Sequence, residues 1–280
     1  MFHHAKNGLL RLGSRTMDYI SYGTGPDVII MIPGLGDGLR TVKGAAAGFA
    51  MMYEEFARNH TVYAFSRINE LEEGYTTADM ARDIIEAMDS LGIEKADIIG
   101  VSQGGMIAQH LSLLAPERVR KLVLTVTSAR CNPLIEQNVN RWMAMAKEKR
   151  YHDLMVDTSE NMYTGKYLEK ARKAYPLLNF VGKPKAFTRF LIEAQSCKNH
   201  DALEQLQNIA CPVLVLGGEL DRIVGPEASR EIAARIPGAL LHMYPSLGHG
   251  LYEETKDWAA RILSFFSEGA DAGEGTDAAS

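Results

Sequence analysis

Residues 98–107 read IIGVSQGGMI, and no other stretch constrains the fold as tightly. The apolar run Ala96 to Gly100 has strand character. A pattern with helical spacing follows from Gln103 to Leu114 and ends before Pro116. A strand that becomes a helix within two residues must reverse sharply, which forces the residue at the tip into a strained backbone conformation. Positions two before and two after the tip then approach one another, and Gly100 and Gly104 leave no side chain there to clash. Ser102 is thus held out at the end of a strand, beside a helix amino terminus. Free N–H groups and the positive end of a dipole at that terminus favour developing negative charge.

The surrounding sequence supplies the same alternation. Thr16 to Tyr22, Val28 to Ile32, Thr61 to Phe65, Ala96 to Gly100 and Val119 to Val126 read as strands. Val28-Ile29-Ile30-Met31-Ile32 is continuously apolar, as expected of a strand buried on both faces. Thr77 to Leu91 carries apolar residues at helical spacing, with Thr77 as its cap and Gly92 as its stop. Strand–helix alternation implies a parallel sheet with helices on both faces. From Ser128 to Gln207 no convincing strand occurs, and the segment reads as an all-helical insertion. Alternation resumes with a strand from Pro212 to Gly217, a helix from Pro226 to Ile236, a strand from Ala239 to Tyr244 and a final helix from Tyr252 to Phe266. The end, EGADAGEGTDAAS, lacks large apolar residues, so disorder is expected there.

Bulk properties exclude several classes. A net charge of −5 over 280 residues gives no basic surface for nucleic acid. Cys131, Cys197 and Cys211 are too few and too irregular for a disulfide framework or a zinc site, and read as reduced thiols. No signal-peptide pattern and no membrane-length apolar run occurs, so a cytoplasmic protein without a membrane partner is expected.

Gly100-Val101-Ser102-Gln103-Gly104 matches G-x-S-x-G in its strand–turn–helix context. A serine hydroxyl needs a base to become a nucleophile. His249 is the candidate, because Gly248 and Gly250 flank it in a loop after the last strand, at the sheet edge where ligands meet such folds. The other histidines lie in the N-terminal tail (His3, His4), at the far end of the sheet (His60), on the helix after the serine (His110), in the insertion (His152, His200) or inside a strand (His242). The base needs an acid to fix its tautomer. Asp221, just after the Pro212 to Leu216 strand, is preferred over its neighbour Glu219. Oxyanion donors are expected from the amides of Gln103 and Leu35, the latter in the loop Pro33-Gly34-Leu35-Gly36-Asp37-Gly38.

PGLGDG, GVSQGG, GGELDRIV and SLGHGLYEE, in that order, resemble the α/β-hydrolase superfamily over nearly the whole chain up to Phe266. The resemblance implies an eight-stranded, mostly parallel sheet flanked by helices. It divides the chain into a core of residues 1–127 and 208–267, a helical lid of 128–207 inserted after the sixth strand, and a tail of 268–280. The chain is similar to the esterase, lactonase and haloperoxidase-like branch. Pro33-Gly34 stands where many relatives carry His-Gly. Arg67, in Phe65 to Leu71, stands where many carry the arginine of D-x-R-G-x-G-x-S. Serine rather than aspartate at 102 argues against the haloalkane dehalogenase and epoxide hydrolase branches.

These features lead to the expectation of a serine hydrolase, without cofactor or metal, acting on a small or medium carboxylic ester, thioester or lactone. Trp142, Met143, Met162 and Phe187 are expected to line an apolar acyl pocket. The same triad also serves carbon–carbon bond hydrolysis and aminopeptidase chemistry. For the latter, Asp153, Asp157 and Glu160 are the candidate amine ligands. A non-catalytic receptor for a small ligand is the alternative of a different class.

Overall fold

The continuous apolar runs become the centre of a single sheet. The computed structural model describes residues 3–178 and 182–268; of the tail 268–280, for which disorder is expected, residues 269–280 lie outside the described residues. The strands are β1 (Lys6–Leu12), β2 (Arg15–Tyr22), β3 (Asp27–Ile32), β4 (His60–Ile68), β5 (Ala96–Val101), β6 (Val119–Thr125), β7 (Val213–Gly218) and β8 (Leu240–Tyr244). Their spatial order is β1-β2-β4-β3-β5-β6-β7-β8. The pairs β1/β2 and β2/β4 are antiparallel and the remainder parallel.

Alternation across the sheet explains the unbroken apolar runs. Ile30, Ile32, Ile98, Leu122, Leu124, Val213 and Val215 pack on one face. Ile29, Met31, Ile99, Val101, Val123, Leu214 and Leu216 pack on the other. With helices over both faces, neither set meets water, so no polar alternation is needed.

The helices are α1 (Ala46–Met52), α2 (Thr77–Ser90), α3 (Gln103–Leu114), α4 (Pro133–Lys147), α5 (Tyr151–Met162), α6 (Gly165–Ala174), α7 (Thr188–Lys198), α8 (Pro226–Arg235), α9 (Leu251–Glu254) and α10 (Asp257–Ser267). Helices α4 to α7 form the insertion between β6 and β7. Within it, Arg141 makes two hydrogen bonds of 2.9 Å to Asp157, and Trp142 Nε1 donates to the same carboxylate at 2.7 Å, clipping α4 to α5.

Four local features differ from the sequence expectation. The cap of α2 is Thr76, not Thr77, and it forms a reciprocal capping box with Asp79. The last helix is two helices, because Thr255 takes an extended conformation between α9 and α10. Strand β4 continues past Phe65 to Ile68, which carries Arg67 toward the C-terminal edge of the sheet. Strand β1 and helix α1 are additional. In β1 only Leu10 and Leu12 are buried, and α1 buries only Ala46 and Ala50, so neither shows strong periodicity.

Candidate active site

Strand β5 ends at Val101 and α3 begins at Gln103, leaving Ser102 as the whole turn. Its φ of 54° and ψ of −121° lie where residues with a side chain are strained. The glycines permit close approach. A Cβ on Gly100 would sit 2.6 Å from the Gly104 carbonyl oxygen, and one on Gly104 would sit 1.9 Å from the Ile32 carbonyl oxygen. Gly100 thus lies against Gly104, as the turn requires, and Gly104 also packs on the end of β3.

Ser102, His249 and Asp221 come together from three separate loops at the C-terminal ends of the strands. His249 Nδ1 lies 2.8 Å from Asp221 Oδ2, and His249 Nε2 lies 2.9 Å from Ser102 Oγ. A carboxylate oxygen accepts, which assigns the ring N–H to Nδ1 and leaves Nε2 as the acceptor of the Ser102 hydroxyl hydrogen bond. Asp221 Oδ1 accepts the amides of Ile223 and Val224 at 2.8 and 3.0 Å, which fixes the carboxylate. Glu219 points elsewhere and pairs with Arg230 at 2.5 Å. His200 is buried between Thr77 and Gln109, and burial together with His110 pushes its pKa down to about 3.

The Pro33–Gly38 loop abuts the serine: a Cβ on Gly34 would lie 3.2 Å from Ser102 Cβ. Among the described residues, neither the Leu35 nor the Gln103 amide donates a hydrogen bond. Beneath this loop lies a buried charged cluster. Arg67, 2% exposed, donates from Nη2 to the Pro33 carbonyl at 2.6 Å and to Gln103 Oε1 at 2.8 Å. Its amide donates to Asp37 Oδ2 at 3.0 Å. Gln103 Nε2 in turn donates to the Glu193 carbonyl at 2.7 Å and to Ser196 Oγ at 3.1 Å. Arg189 pairs with Asp37 at 2.6 Å and approaches Glu193 at 3.2 Å. Burial pushes the Glu193 carboxyl up to about 8, against the pull of Arg67 and Arg189 and with Asp37 adding to the rise. One arginine thus ties together the two segments that present the free amides. The sequence placed Asp37 in the Pro33–Gly38 loop and Arg67 at the position of a family motif's arginine, with no sign that the two meet. Glu193 and Arg189 carried no signal, because they arrive on α7 from the insertion.

A cavity of about 540 Å³ opens at Ser102 and His249, a size typical of small-molecule sites. Trp142 and Met162 line it, with Leu35, Met106, Val139, Met155 and Phe190. Met143 and Phe187 do not. On α4 Ile135, Asn138, Val139 and Trp142 face the cavity, whereas Met143, about 100° round the helix from Trp142, packs against the insertion's hydrophobic cluster. Phe187 precedes the first turn of α7 and packs into the insertion's own core, while Phe190, one turn later, reaches the cavity. The three acidic residues considered as amine ligands are paired: Asp153 with Arg150, Asp157 with Arg141, and Glu160 with Arg172. The three cysteines are free, with Cys197 buried at the cavity wall. No helix among the described residues is long and apolar enough to cross a membrane.

Comparison with known proteins agrees with this architecture. A family model described as alpha/beta hydrolase fold matches residues 27–255. The chain is 30% identical over 204 residues to 2-hydroxymuconate semialdehyde hydrolase of Pseudomonas putida, covering 71% of each chain. It is 29% identical over 204 residues to "Putative carbamate hydrolase RutD" of a Caulobacter species, covering 70% of this chain and 75% of the relative. The crystal structure of an alpha/beta hydrolase enzyme from a Medee basin deep-sea metagenome library superposes with a TM-score of 0.82 at 22% identity, covering 97% of this chain and 99% of that one. With the model match spanning most of its length, the chain belongs to the α/β-hydrolase family.

Proposed function

We propose that the chain is a serine hydrolase that cleaves a small or medium carboxylic ester, thioester or lactone through an acyl-enzyme on Ser102. The observation that carries this reading is the continuous hydrogen-bonded line Asp221–His249–Ser102, which opens onto a largely apolar cavity. In this mechanism Ser102 Oγ attacks the carbonyl carbon while His249 Nε2 takes its proton. Asp221 stabilises the resulting imidazolium. The amides of Leu35 and Gln103 bind the oxyanion, a contribution of about 3 kcal/mol per donor in transition-state stabilisation. His249 then gives its proton to the leaving oxygen or sulfur. Water, deprotonated by the same ring, attacks the acyl-enzyme and releases the acid.

The apolar lining supports an acyl group without several charges. The pairing of Asp153, Asp157 and Glu160 speaks against those residues as ligands for a peptide amine. The test is hydrolysis of p-nitrophenyl esters of increasing acyl length by wild type and Ser102→Ala. Turnover in the wild type, lost in the variant, supports the reading. Equal rates in the two proteins overturn it.

A further inference from the structure

One end of the cavity is polar in a way that the triad chemistry does not use. Helix α9 begins two residues after His249 and brings Glu253 to the cavity wall, together with Tyr53, Tyr163 and Tyr252. Tyr163 donates to Glu253 Oε2 at 2.8 Å. Among the described residues, Glu253 Oε1 accepts no hydrogen bond and Glu253 joins no ion pair. The hydroxyls of Tyr53 and Tyr252 likewise have no hydrogen-bond partner among the described residues, yet neither is sealed in the protein. The adjacent Glu254 is occupied, accepting the Thr164 amide at 3.1 Å and its hydroxyl at 2.7 Å.

A carboxylate oxygen can only accept, so what completes this end must donate. We propose that Glu253, flanked by Tyr53, Tyr163 and Tyr252, forms a subsite selecting substrates that carry a hydrogen-bond donor, a hydroxyl or an ammonium group, away from the scissile carbonyl. This rests on reading the cavity as the substrate pocket of a serine hydrolase. Among the described residues neither Glu253 nor Glu254 joins an ion pair, so this end is electronegative, which suits an ammonium, and the tyrosine hydroxyls can accept from either donor. Burial raises the Glu253 carboxyl above its usual range, the Tyr163 hydrogen bond opposes the rise, and Glu254 adds to it. A donor at Oε1 supplies the stabilisation that the carboxylate lacks in the free protein.

The experiment compares kcat/KM for matched p-nitrophenyl esters whose acyl chain ends in methyl, hydroxyl or ammonium, over a series of chain lengths. At the fitting length the wild type is expected to favour a donor-bearing ester at least about tenfold, the effect of one hydrogen bond to a charged group. Glu253→Leu is expected to bring both ratios to about one. Glu253→Gln keeps an acceptor but no charge, so it should abolish an ammonium preference and retain a hydroxyl preference. A purely structural role for Glu253 would move the melting temperature without moving these ratios. A wild type that shows no preference at any length, or a preference that survives both substitutions, overturns the subsite. A second readout does not need turnover. Calorimetry with Ser102→Ala compares hexanamide, 6-hydroxyhexanamide and 6-aminohexanamide. Tighter binding of a donor-bearing amide, lost in Ser102→Ala/Glu253→Leu, keeps the subsite even where ester hydrolysis is absent. Ester hydrolysis without selectivity keeps the hydrolase and removes the subsite.

Discussion

Arg67→Lys tests how the free amides beside Ser102 are held in place. Arg67 Nη2 donates to both the Pro33 carbonyl and Gln103 Oε1, reaching the Gly34–Leu35 loop and the residue after the serine at once. Lysine keeps the positive charge near Asp37 and Glu193, but its ammonium sits on a flexible stem one bond shorter than the reach to Nη2, the single nitrogen that makes both bonds. At least one charge-assisted hydrogen bond is lost, a stability cost of about 1.5–3 kcal/mol. The catalytic cost follows from geometry. A Pro33 carbonyl released from Arg67 lets the next peptides rotate, and removal of one oxyanion donor costs about 10²–10³ in kcat. A partly displaced donor should therefore lower kcat roughly tenfold or more, with KM little changed, since the apolar wall that binds the acyl chain is untouched. Urea unfolding at constant m-value gives the first quantity, and ester kinetics under saturating substrate give the second. A variant that loses stability yet keeps wild-type kcat would show that Arg67 supports the fold alone. A variant unchanged in both would refute the reasoning.

Three further expectations can be checked in the same assays. Asp221→Asn should lower kcat by about 10⁴ while leaving the fold intact, because the ring then loses its fixed tautomer; a fall of less than tenfold counts against Asp221 as the orienting acid. Gly104→Ala places a Cβ 1.9 Å from the Ile32 carbonyl oxygen, where backbone must move, so a loss of about 3 kcal/mol or failure to fold is expected, and a wild-type melting temperature would contradict the turn geometry. The Glu193 carboxyl is raised from 4.5 to about 8 in the folded chain. The folded state therefore holds a proton that the unfolded state releases. This contribution to stability is complete below pH 4.5 and is lost as pH rises through about 8. The difference between wild type and Glu193→Gln in urea midpoints should accordingly change across that window, by up to about 1.4 kcal/mol per pH unit; a difference that stays flat with pH would mean the carboxyl is ionised throughout.

The fold was legible where a run of sequence meets one uniform environment. Ile29, Ile30, Met31 and Ile32 are apolar without interruption because each face of β3 meets its own helix layer. Edge strand β1 was missed because only Leu10 and Leu12 turn inward and its remaining residues face solvent or lie half-buried. Ser102, Asp221 and His249, which the structure brings together, stood out in the sequence because each lies in a loop after a strand with glycines near it, at 100 and 104, 217 and 218, or 248 and 250. The contact between Glu253 and Tyr163 did not, since it joins the end of α5 to α9 across ninety residues. The cluster of Arg67, Asp37, Arg189 and Glu193 is hidden for the same reason. Pocket residues were only partly legible: helical spacing shows that Trp142 and Met143 lie on different faces, but not which face meets the cavity.

The central claim is that Ser102 is the nucleophile, and covalent labelling tests it most directly. A fluorophosphonate traps a serine activated by a neighbouring histidine. Intact-mass measurement should show one equivalent added per chain, peptide mapping should place it on Ser102, and ester turnover should disappear in proportion to labelling. Absence of an adduct on Ser102 in a folded protein that hydrolyses esters, or turnover that persists after full labelling of Ser102, would contradict it.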